Sequence, residues 1–126
     1  MRRSVFILAV GLIACACDGL ADPRRAVLLG VQDVVAPAEV AAGAELVATI
    51  TVVTGGCKAF DRFVTRRDNA RLTVEAWGTD ARNQSCPADV HYEPHEYRAV
   101  VPSGNPVVLA VRQPNGDELV RTIQIR

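Results

Sequence analysis

The 126-residue sequence has no excess charge of either sign, a single lysine, three serines and no apolar run of membrane-spanning length. Each shortage excludes something. With 14 basic against 14 acidic groups, the clustered basic excess of a nucleic-acid binder is missing, and no nucleic-acid partner is expected. Ser4, Ser85 and Ser103 are the only serines, no Gly-x-Ser-x-Gly elbow occurs, and both histidines fall in one segment, so serine-based catalysis lacks its parts. Glu93 and Glu96 are carboxylates without an apolar frame. An enzyme is not expected, and no cofactor is implied. Abundant valine, leucine and isoleucine with balanced charge exclude a disordered chain. A chain of this length supports one domain, able to bury about two thirds of its unfolded surface.

What is present begins with an address. Arg2 and Arg3 precede residues 5–14, ten residues without a charge. This is the pattern of a secretory signal peptide, and it is too short for the roughly 20 residues of a membrane helix. At its end, Leu12-Ile13-Ala14-Cys15 resembles the lipobox of bacterial lipoproteins, in which the cysteine is acylated and the signal, here residues 1–14, is cut before it. Cys17 is the weaker candidate, because Ala14-Cys15-Ala16 lacks the large aliphatic residue that opens the box. The alternative is an ordinary signal peptide cut after Ala14, Ala16 or Ala21. The resemblance implies an exported protein, lipid-anchored to a membrane of the cell envelope, with residues 15–25 as lipidated N-terminus and short tether. Removing Arg2 and Arg3 leaves 12 basic against 14 acidic groups, a net charge of about −2.

From residue 26 to 126 the pattern is strand after strand. The runs are 27–35, 45–53, 60–66, 71–77, 91–101 (interrupted at Pro94), 106–112 and 118–126. Residues 45–53 alternate, with Leu46, Ala48, Ile50 and Val52 on one face. Leu72, Val74 and Ala76 share a core face, which puts Trp77 opposite, with Thr73 and Glu75. Asp68-Asn69-Ala70 and Asn115-Gly116 supply turn chemistry. Gly43 makes residues 39–45 a turn rather than a helix. About seven short strands predict an all-β, two-sheet antiparallel sandwich. The stretch 37–46 and the closing hairpin resemble immunoglobulin-like and fibronectin type III-like domains. That resemblance implies a binding, spacing or assembly module.

Cys57 and Cys86 remain after the lipobox, and in an oxidising compartment two cysteines in a small domain most simply form a disulfide. In an extended strand, His91, Glu93 and His95 point to one face and offer zinc or copper a three-ligand set; exposed histidines on an edge strand account for the same letters, and metal binding is not the favoured reading. Arg62, Arg66, Arg67 and Arg71 bracket one turn, yet 13 of the 14 basic residues are arginine, so global bias explains the cluster. The expected product is a monomeric, non-catalytic envelope lipoprotein that binds an envelope protein or surface component through loops 55–59 and 79–89. Metal binding and inhibition of an exported protease are the alternatives.

Overall fold

The computed structural model describes residues 25–81 and 85–126. The signal peptide, Cys15, Cys17, most of the tether and residues 82–84 lie outside the described residues. The described chain forms nine strands: β1 (Arg25–Leu28), β2 (Val31–Val35), β3 (Glu39–Val40), β4 (Glu45–Thr54), β5 (Lys58–Asp68), β6 (Arg71–Asp80), β7 (His91–Val100), β8 (Val107–Arg112) and β9 (Glu118–Ile125). One sheet runs β1-β6-β8-β9-β3, with β5 on the other side of β6, and the second runs β2-β4-β7. The two-sheet β-sandwich is therefore the architecture.

Alternation builds its core. Leu46, Ala48, Ile50 and Val52 of β4 turn inward and are at most 1% exposed, facing Leu72, Val74 and Ala76 of β6. Leu109, Val111 and Ile123 close the layer from β8 and β9. Burying each large aliphatic side chain stabilises the fold by about 1.5–3 kcal/mol. On β6, Trp77, Thr73 and Glu75 face away from the core, as the alternation predicts.

Four local features differ from expectation. The run 27–35 is two strands, not one. The Leu29 amide still donates to Ala76 of the first sheet, while the carbonyl of Gly30 already accepts from Val53 of the second. The chain thus changes sheets within two residues. Residues 39–45 are not all turn either: Glu39 and Val40 pair in parallel with Gln124 and Ile125. Together these additions raise seven strands to nine. The pairing is not antiparallel throughout, because β6 and β8 also run parallel. Finally, Pro94 does not interrupt β7, which is an edge strand and tolerates a residue with no N–H to donate.

Candidate functional site

The turn from β4 into β5 places three consecutive residues in the left-handed region, Gly55 at φ 100°, Gly56 at 59° and Cys57 at 72°. Glycine accepts this conformation freely and cysteine does not, so the turn needs support from outside. It receives three ties to the connection between β6 and β7. Cys57 and Cys86 form a disulfide. The carbonyl of Cys57 accepts from the Ala81 amide at 3.1 Å. The Gly56 amide donates to Asp89 Oδ1 at 2.9 Å. A Cβ on Gly55 would lie 2.5 Å from the Asp89 carbonyl oxygen, which shows how closely the two segments approach. Among the described residues of the expected contact region, 55–59 is thus cross-linked to 81 and 85–89 as one ridge.

Electrostatics reinforces the ridge. Hydrogen bonding from the Gly56 amide, then from His91 at 2.5 Å, holds the Asp89 carboxyl below its usual range. Lys58, the chain's only lysine, stands at the start of β5.

A cleft of about 670 Å³ opens between this ridge and the point where the chain changes sheets. Val27, Leu29, Val31, Val53, Gly55 and Val90 line it. Gln113 and Pro114, from the β8–β9 turn, complete it. Gln113 donates to the Val31 carbonyl at 2.7 Å and accepts from its amide at 2.9 Å, so the side chain substitutes for a strand partner on the open edge of β2. The Asn115-Gly116 turn behaves as expected, with Gly116 at φ 93° and its amide bonded to the Gln113 carbonyl. Sequence reasoning missed Gln113, because a glutamine before a proline in a turn carries no pattern signal.

Comparison with known proteins finds no match among protein families, curated proteins or solved structures. The reading therefore rests on the site itself.

His91, Glu93 and His95 share one face of β7, as the strand reading requires. They do not converge. His91 is engaged with Asp89, while His95 contacts Glu93 at 3.2 Å and lies over Phe60 with ring centres 4.0 Å apart. Glu93 also accepts from the Thr54 hydroxyl at 2.9 Å, and this bond, then that of His95, lowers its carboxyl. Further along, Tyr97 meets the Thr65 hydroxyl at 2.8 Å and the edge of Phe63, and burial raises its phenol. Among the described residues, no three His, Cys, Asp or Glu side chains are placed to hold a metal. These groups seal the seam between β5 and β7.

The arginine cluster is also divided. Arg62 pairs with Asp61, Arg67 donates to the Val100 carbonyl across the sandwich at 2.7 Å, and Arg71 pairs with Glu118. Arg62 and Arg66 fall on the outer face of β5, opposite Trp77 and Thr73.

Proposed function

We propose that the protein is a non-catalytic envelope lipoprotein, acylated at Cys15, whose immunoglobulin-like sandwich binds an envelope protein or surface component through the ridge of loops 55–59 and 79–89. The observation that carries this reading is the cross-linking of those two loops into one body beside a cleft. Loops carry recognition in sandwiches, and a pinned loop loses less conformational freedom on binding than a free one.

The same end of the molecule receives the tether. Arg25 pairs with Asp80, which on its other side pairs with Lys58 next to Cys57. Ten residue steps separate Cys15 from Arg25, a reach of at most roughly 33–36 Å. An anchor at Cys15 therefore holds the ridge close to the bilayer and favours a partner at the membrane surface. Several acyl chains would fix it there far more firmly than one.

Membrane fractionation with mass spectrometry tests the anchor. The wild type is expected in the membrane fraction with lipid on Cys15, and Cys15→Ser in the soluble fraction. An unlipidated wild-type Cys15, or membrane retention of Cys15→Ser, would overturn it.

A further inference from the structure

The outer face of the larger sheet contains a carboxylate that nothing in the sandwich uses. Glu75, in the middle of β6, points away from the core yet is only 8% exposed. Its strand neighbours on that face are Thr73 and Trp77, and Val64 of β5 stands opposite. Among the described residues, no hydrogen bond or ion pair reaches its carboxylate. No buried side-chain oxygen among them lacks a partner, so the carboxylate oxygens are the part of Glu75 that stays open to solvent. Water alone meets those oxygens in the free protein, and a ligand hydroxyl that replaces it finds an acceptor already walled in by its neighbours.

The surroundings define that donor. Trp77 lies two residues along the same face and is half-buried, offering one ring face and an indole N–H. Arg62 and Arg66 flank Val64 on β5, and Arg112 ends β8 on the same face. Leu28, Val108 and the 45% exposed Val120 extend apolar surface beside them. A free cation would be drawn to Glu75 but repelled by the guanidinium groups around it, of which Arg62 is shared with Asp61 and Arg112 stands opposite Glu118. A phosphate-rich surface would have the opposite difficulty. A ligand that fits both presents hydroxyl donors to the centre, an apolar ring face to the tryptophan and carboxylates to the rim, where arginine binds them in bidentate fashion.

We infer that the outer face of β5, β6 and β8 is a binding site for an acidic saccharide, with Glu75 accepting from sugar hydroxyls, Trp77 stacking on the ring and Arg62, Arg66 and Arg112 holding its carboxylates. This is a second surface, separate from the ridge of the proposed function, and it rests on export only for where the saccharide is met.

Trp77 is the chain's only tryptophan, so its fluorescence reports on this site alone. The purified full chain is titrated with a galacturonic acid tetramer, with cellotetraose as the neutral control and inorganic polyphosphate as the simple polyanion. The expected result is a saturable spectral change with the uronate, at least about tenfold weaker with cellotetraose and absent with polyphosphate. Glu75→Gln, which keeps the shape, and Arg62→Ala, at an exposed position that folding does not need, are each expected to weaken binding about tenfold. No change up to about 10 mM uronate, equal binding by both variants, or the same response to polyphosphate would overturn the inference. Failure here would leave the anchor and the ridge intact, since those are read in membranes and on Cys15.

Discussion

The carboxamide of Gln113 grips the backbone of Val31 at both its N–H and its carbonyl, across 82 residues of chain. β2 is an edge strand, with β4 on one side only, so on its open side no strand reaches those two groups. Gln113→Ala leaves both unpaired beside the cleft and is expected to cost about 1–3 kcal/mol in urea denaturation. Hydrogen exchange at the Val31 amide should accelerate with it. An unchanged midpoint would show that water replaces the carboxamide without loss.

The disulfide closes the 57–86 loop, 29 residues in separation. In the chain-entropy model this contributes roughly 3.6 kcal/mol. The double variant Cys57→Ser/Cys86→Ser is expected to unfold earlier by about 2–4 kcal/mol, and reduction of the wild type should reproduce the loss. A chain equally stable when reduced would assign the ridge to the Gly56–Asp89 and Ala81–Cys57 hydrogen bonds.

Gly78 is a steric requirement rather than a turn residue. A Cβ there would lie 2.2 Å from the Ala59 carbonyl and 2.6 Å from a Leu29 methyl, within a fully paired stretch of β6. Gly78→Ala is expected to destabilise by more than about 3 kcal/mol, because backbone on one side and packed core on the other leave nothing to yield. Gly43→Ala meets no atom within 4 Å and pays only for its φ of 71°. Thermal melts of the two should therefore separate clearly.

Glu93 titrates below its ordinary 4.5, first through Thr54 and then through His95. A carboxyl with a lowered folded-state value adds stability that is complete above pH 4.5 and is lost as pH falls through the lowered value. Thr54→Val is expected to move the Glu93 titration back toward 4.5, as read from its side-chain carboxyl carbon by NMR. An unmoved titration would make His95 the dominant partner.

Period-two alternation made β4 to β9 legible, down to the outward direction of Trp77 on β6. Turn chemistry made Asn69 and Gly116 legible, since both take the positive φ their type allows. The change of sheets at Leu29–Gly30 was not legible. Residues 27–35 are apolar on both sides of Gly30, and one glycine in a strand pattern signals a bulge as readily as a crossing. The parallel pairing of Glu39 and Val40 with β9 depends on a partner 85 residues away, which local pattern cannot register. Cys57 and Cys86 could be paired from their count and from the compartment that the signal-peptide resemblance implies, whereas Gln113 and Glu75 could not be found. A polar residue on the outward face of a strand reads as solvated, and only the neighbouring strands show that Glu75 is covered.

The ridge is proposed to meet a partner at the membrane surface. Lys58 is the only side-chain amine in the chain and stands on that ridge, so an amine-reactive cross-linker applied to intact cells probes it directly. A discrete heavier adduct linked through Lys58 is expected, absent in Lys58→Arg and sharply reduced in Cys15→Ser. No adduct in the wild type, or one that survives Lys58→Arg unchanged, would contradict it.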